Sequence, residues 1–365
     1  MGAALVGVVW ANSPWGTRYE AVWGTPVVTV FGRRTASLSL GSVVNDVLMT
    51  LFFLVVGSEI RQEFREGSLS DFRRASLPVV AAVGGMIVPA LIYLVCNQGH
   101  ATKGGWGIPT ATDIALSVGV LSLLGRSVPA PLRTFLLAIA TVDDIGSVVV
   151  VSIFYPSGGT TTGLFVAASG AIACLALRDA GARKLLAYAV PCLMMWVGLS
   201  RAGIEPALSG IPMGLLVPLE STGRLHPWVA YGIAPLFVLA NAGLAVNHLR
   251  WRDKDSVAVL AGIVLARVLG KPIGIVSACY AAVGTGACRL PTGVTWRGVL
   301  VIGCLGGIGL TVPIYIARSG FANSPLLTSA KLALLVSGAA SALVGILLGK
   351  MLLTEESLER ENGAN

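Results

Sequence analysis

Two adjacent carboxylates, Asp143-Asp144, stand in the middle of an otherwise apolar stretch running from Leu132 to Phe154. On membrane-insertion scales each centrally placed acid costs about 2.5–3.5 kcal/mol, so a pair is tolerated only against a wet or cation-lined cavity. Neighbouring helical residues point about 100° apart, so the two cannot meet one partner in the same way. Asp143 and Asp144 therefore read as facing such a cavity.

Asp113 closes the segment Ile108-Pro109-Thr110-Ala111-Thr112-Asp113. Pro109 removes a backbone donor, and Thr110 and Thr112 can satisfy groups freed by a break, so this segment reads as an interrupted helix. Asp113 then offsets the positive N-terminal end of a half-helix or acts as an ordinary cap, and the two roles are compatible. A second interruption, Gly303-Cys304-Leu305-Gly306-Gly307-Ile308-Gly309-Leu310-Thr311-Val312-Pro313, carries four glycines and a proline. Lys271 lies inside another apolar segment, as counter-ion to a buried carboxylate or to half-helix C-termini. Arg267, one turn away, is expected to snorkel to an interface. Glu59, Glu63 and Glu66 form an acidic stripe at i, i+4 and i+7, which reads first as a solvated helix end whose like charges titrate over a broad range.

The elements that must hold these charges are membrane spans. Of 365 residues only 12% are charged and 55% are hydrophobic, whereas a soluble domain carries about 25% charged residues. This excludes secreted, fibrous and disordered classes. Stretches of about 20 apolar residues fall near 2–11, 43–58, 77–96, 106–124, 132–154, 160–177, 185–199, 203–219, 227–246, 256–283, 298–317 and 326–353, twelve in all. The first is short and lacks the basic start of a signal peptide, so it reads as a helix missing its beginning. The third to fifth and tenth to twelfth spans each have a broken middle member, a pattern that points to inverted repeats. Residues 25–40 combine β-branched residues, a Gly-Arg-Arg turn and Ser/Leu alternation, and read as a β-hairpin. Residues 1–354 read as one transporter domain, followed by a polar, unstructured tail over 355–365.

The net charge of +8 is spread over short loops with no basic arm, so no nucleic-acid partner is indicated. With the N-terminus in the cytoplasm, the internal loops hold more Arg and Lys than the external ones, which favours that orientation. Cys96, Cys174, Cys192, Cys279, Cys288 and Cys304 form no CxxC pair and read as small buried apolar residues. No cofactor is expected.

The chain resembles the NhaA-type sodium/proton antiporters. The likeness covers nearly its whole length. It is carried by Val44-Asn45-Asp46, Leu54-Val55-Val56-Gly57-Ser58-Glu59, Gly84-Gly85-Met86-Ile87-Val88-Pro89-Ala90, Thr112-Asp113-Ile114-Ala115 and Val142-Asp143-Asp144-Ile145-Gly146. It continues in His226-Pro227-Trp228-Val229-Ala230-Tyr231, Asn241-Ala242-Gly243, Gly270-Lys271-Pro272 and Gly306-Gly307-Ile308-Gly309-Leu310-Thr311. The resemblance implies an all-α fold of twelve transmembrane helices with inverted repeats, two discontinuous helices crossing at mid-membrane and a short β-hairpin. It implies Asp144 as the principal cation and proton carboxylate, Asp143 as its neighbour and Lys271 as the partner of Asp143. Asp113, next to Thr112, would compensate the half-helix dipoles, Glu59 and Glu63 would serve pH response, and the hairpin would mediate a homodimer.

The implied function is electrogenic, pH-regulated exchange of cytoplasmic Na+ or Li+ for external H+ across a bacterial inner membrane, by a transporter and not an enzyme. The chain departs from the family at its short first helix, at Glu205 where a histidine is common, and at Pro313 where a small hydroxyl residue is usual. A passive cation channel is the nearest alternative. An intramembrane aspartyl protease is more distant, because its Gly-x-Gly-Asp and Tyr-Asp segments are absent.

Overall fold

The structure is a computed structural model and describes residues 2–30, 36–67, 72–125, 128–155, 158–182, 185–217, 222–244, 252–321 and 325–363. These residues are mainly helical. In chain order come α1 (Gly2–Ala11), α2 (Gly16–Gly24), strands β1 (Pro26–Val30) and β2 (Ala36–Ser39), then α3 (Leu40–Arg65) and α4 (Phe72–Cys96). The central helices are α5 (Ile114–Ser122), α6 (Ala130–Phe154), α7 (Thr161–Asp179), α8 (Ala189–Arg201), α9 (Gly210–Leu216) and α10 (Leu225–Ala242). The last are α11 (Lys254–Gly284), α12 (Trp296–Gly306), α13 (Thr311–Gly320) and α14 (Leu326–Gly363).

Among the described residues seven helices are long and apolar enough to cross a membrane, or eight if α12 and α13, bent by 48°, count as one broken span. Of the twelve expected spans, those near 2–11, 185–199 and 203–219 are shorter apolar helices. The one near 106–124 is divided into the 3-10 turn Ile108–Thr110 and α5.

The chain divides into two compact units, Met1–Gln62 with Val151–Val246, and Glu63–Val150 with Asn247–Asn365. In the first, α7 and α8 pack through small residues: a Cβ on Gly198 would sit 2.7 Å from Cα of Ala167, and one on Gly163 2.7 Å from the carbonyl carbon of Arg201. Membrane helices associate this way because lipid gives them no hydrophobic reason to, and close backbone contact maximises dispersion. The end of α10 is held by Tyr19, whose hydroxyl lies 2.7 Å from Leu239 O and 2.9 Å from Ala240 O and accepts from Gly243 N. Burial pushes the Tyr19 phenol up to about 12, which keeps it a donor. Strands β1 and β2 pair antiparallel, with Pro26 opposite Ser39 and Val30 opposite Ala36. The Gly32-Arg33-Arg34 turn expected between them lies outside the described residues.

The second unit is built on α4 against α11. Gly84 and Gly274 face each other at this contact: a Cβ on Gly274 would lie 2.9 Å from the carbonyl carbon of Gly84. No larger residue fits, and the approach brings Lys271 against α4, where a Cβ on Gly85 would meet its Cδ at 3.8 Å. Leu77 and Ala81 of α4 share a core with Leu132, Phe135 and Ile139 of α6, Ile275 of α11, and Ile302 and Leu305 of α12. On the opposite face of α4, Val79, Val83, Ile87, Leu91 and Val95 recur every fourth residue, and all are exposed. A continuous apolar stripe of this length is untenable in water and natural in hydrocarbon, and the chain is a multi-pass membrane protein.

Two expectations change. The tail expected to lack structure continues α14 as helix to Gly363. Cys96 is exposed and Cys192 half-buried, so the cysteines are not uniformly core residues.

Candidate functional site

Both interruptions lie in the second unit, and their unwound residues bond to each other. Ala111 and Asp113, on either side of Thr112, are extended before α5, and Ile308 and Gly309 lie between α12 and α13. Breaking two helices frees backbone groups that lipid cannot satisfy, and the fold provides a partner for each end. Asp113 N donates to Ile308 O at 2.9 Å. Thr112 Oγ1 lies 2.8 Å from Gly306 O, and Ser117 Oγ donates to Leu305 O at 3.0 Å. Arg267 Nε and Nη1 donate to Gly307 O and Gly309 O at 3.1 and 2.9 Å.

Asp113 serves the two N-termini. It is the N-cap of α5, where Oδ1 accepts from Leu116 N at 3.3 Å. Its Oδ2 accepts from Thr311 Oγ1 at 2.9 Å, at the first residue of α13. Cap and dipole compensation are thus one arrangement seen from two sides. Pro313 falls in the first turn of α13, where a missing N–H costs no helical bond, and Ile314 N closes that turn onto Leu310 O.

Arg267 corrects a sequence expectation. It does not snorkel; it is wholly buried, in the π-helical turn Ala266–Gly270 of α11. The glycine-rich break leaves carbonyls that need donors, and a buried guanidinium carries five. Gly309 is required beside it, since a Cβ there would lie 2.5 Å from Arg267 Nη2 and 2.9 Å from Ala111 O.

One turn further along α11, Lys271 Nζ lies 2.5 Å from Asp143 Oδ2 and donates to Thr112 Oγ1 at 3.0 Å. Thr112 Oγ1 is also 2.7 Å from Asp143 Oδ2. Its single proton goes to Asp143 or to Gly306 O, so Thr112 couples the ion pair to the break. Both members of the pair are fully out of solvent. Such a pair holds only while both partners are present, because either one alone is a bare buried charge. Asp144, next along α6, is buried too.

These residues lie on a scaffold whose sequence has clear relatives. The profile described as Na+/H+ antiporter 1 matches residues 1–348. The chain belongs to this family. It is 42% identical to Na(+)/H(+) antiporter NhaA 2 of Sorangium cellulosum, over 96% of this chain and 86% of the relative. It is 39% identical to Na(+)/H(+) antiporter NhaA of a Janthinobacterium species (95% and 88% covered), and 42% identical to that of an Acidovorax species (95% and 87%).

The remaining expected residues of this antiporter-family chain lie elsewhere. In the first unit, Glu59 of α3 pairs with His226 of α10, Oε1 to Nε2 at 3.3 Å. Glu63 is half-buried one turn on, and the side chain of Glu66 lies outside the described residues. Glu205 opens the 3-10 turn Pro206–Ser209 without capping it. The partner of Glu59 had a signal in the sequence: His226 is one of only 3 histidines in the chain.

Proposed function

We infer that this membrane protein is a Na+/H+ antiporter in which Asp144 and Asp143 bind the cation and the proton in alternation. The observation that carries the reading is the ionisable cluster on the membrane-length helix α6: two buried acids, one of them held by Lys271. Na+ and H+ compete for the same carboxylate oxygens, and a site open to one side at a time then couples their fluxes without any covalent step. The cation binds to ionised Asp144 and Asp143 from the cytoplasm. On the other side protons displace it, one on Asp144 and a second carried by the Asp143–Lys271 pair. More positive charge enters as protons than leaves as Na+, so exchange is electrogenic, and Li+ serves in place of Na+. Thr112 and Asp113 hold the broken segments around the site.

The finer architecture belongs to the same proposal: twelve transmembrane helices in a single domain with inverted repeats, the N-terminus in the cytoplasm of a bacterial cell, and a homodimer formed through residues 25–40. Regulation by pH is assigned to Glu59 and Glu63 at the end of α3, with His226 as the group that answers them. Everted membrane vesicles containing a pH-sensitive dye provide the test. Added Na+ collapses a preformed proton gradient if the reading holds. Absence of collapse at every pH overturns it, and Na+ flux that moves no protons would mark a cation channel instead.

A further inference from the structure

The buried face of α6 runs through Leu136, Ala140, Asp143, Ser147 and Val151, while Val149 and Ile153 face outward. Ser147 is on this face one turn after Asp143, and it is 0% exposed. A helical serine or threonine ordinarily satisfies its hydroxyl on the carbonyl four residues back. The threonines of this same helix do so: Thr134 bonds Ala130 O at 3.2 Å and Thr141 bonds Leu137 O at 2.9 Å. Ser147 does not. Its Oγ has no hydrogen-bond partner among the described residues, and neither has Asp143 Oδ1. All the bonds of Asp143 fall on its other oxygen, which takes both Lys271 and Thr112.

Two buried oxygens without partners on one helix are costly, and side chains at i and i+4 stand about 5–6 Å apart at Cβ. That separation allows both to reach one small cation. We propose that Ser147 Oγ is a ligand of the transported alkali cation, beside Asp143 Oδ1, and that it sets the preference between Na+ and Li+. The proposal rests on the antiport reading above. A hydroxyl is a neutral oxygen ligand that cannot exchange a proton in this pH range. It therefore favours the cation over H+ without adding charge to be neutralised. Na+, larger than Li+, gathers more oxygens, so loss of this ligand weakens Na+ binding more than Li+ binding.

The test compares wild type, Ser147→Ala, Ser147→Cys and Ser147→Thr in proteoliposomes, with Asp144→Asn as the inactive control. Cysteine has the same branching as serine and is only slightly larger, but offers a soft sulfur that alkali cations avoid. Loss of one oxygen ligand, taken as comparable to a lost hydrogen bond, raises the half-saturating Na+ concentration about three- to tenfold in the Ala and Cys variants. The rise for Li+ is smaller, and Ser147→Thr keeps the wild-type ratio of the two ions. At a fixed low Na+ concentration the Ala and Cys variants also need a higher pH for half-maximal exchange, a shift that a purely structural role would not produce. If wild type exchanges while both variants match it for Na+ and Li+, or lose the two ions equally, Ser147 is not a selective ligand. If wild type itself shows no Na+-dependent exchange, the antiport reading fails first.

Discussion

Asp113 and Arg267 balance the two broken helices by opposite charge. The carboxylate takes its bonds at helix N-termini, from Leu116 N and Thr311 Oγ1, and the guanidinium gives its bonds to Gly307 O and Gly309 O beyond the C-terminus of α12. Each charge stands where the partial charge of the helix end has the opposite sign. The contact between the two breaks is held by side chains that the helix dipoles would themselves select.

Removing either residue should therefore weaken the contact between the two breaks. Arg267→Met leaves two buried carbonyls without donors, and hydrogen bonds to charged groups are worth about 1.5–3 kcal/mol each. The melting temperature of the detergent-solubilised protein should fall clearly, with Arg267→Lys, which reaches fewer carbonyls, in between. Asp113→Asn, which retains a cap acceptor, should melt above Asp113→Ala. An Arg267→Met protein as stable as wild type would contradict the assignment.

The Lys271–Asp143 pair predicts a compensating double mutant. Asp143→Asn or Lys271→Gln alone strands a buried charge, at a cost of about 3–5 kcal/mol. The double variant removes both charges and should melt above either single, while exchange through Asp144 becomes electroneutral. Strictly additive losses would make the two residues energetically independent.

Asp144→Asn keeps the side-chain volume but loses the charge and the proton site. Exchange in everted vesicles should vanish at every pH, and Na+ should no longer raise the melting temperature. Residual coupled exchange in this variant would move the principal site to Asp143.

The Glu59–His226 contact should act on regulation and hardly on stability, since the side chains are 41% and 59% exposed. The attraction needs a charged imidazole and an ionised carboxylate. A neutral amide at either position removes it. If the contact restrains the transporter, His226→Gln removes the restraint and exchange begins at lower pH. The pH dependence of the vesicle signal, measured with saturating Na+, decides this, and an unmoved profile assigns regulation elsewhere.

The sequence by itself determined the solvent of this protein and the places where its helices break. Apolar periodicity, proline and clustered glycine act within one or two turns, so spans such as Ala130–Phe154 and the interruptions at Thr112 and Gly307 can be read locally. It also marked Asp113, Asp143, Asp144 and Lys271, because a charge within an apolar run has no local excuse. Only the tertiary structure decided which group answers each charge. Lys271 meets Asp143 across 128 residues and Thr311 meets Asp113 across 198, separations at which no pattern along the chain carries information. Arg267 shows the limit most clearly. One turn from Lys271, with the same apolar neighbours, its sequence context suits an interface as well as a core. What buries it is the set of carbonyls freed when α12 ends at Gly306, and that demand exists only once the two broken segments are folded together.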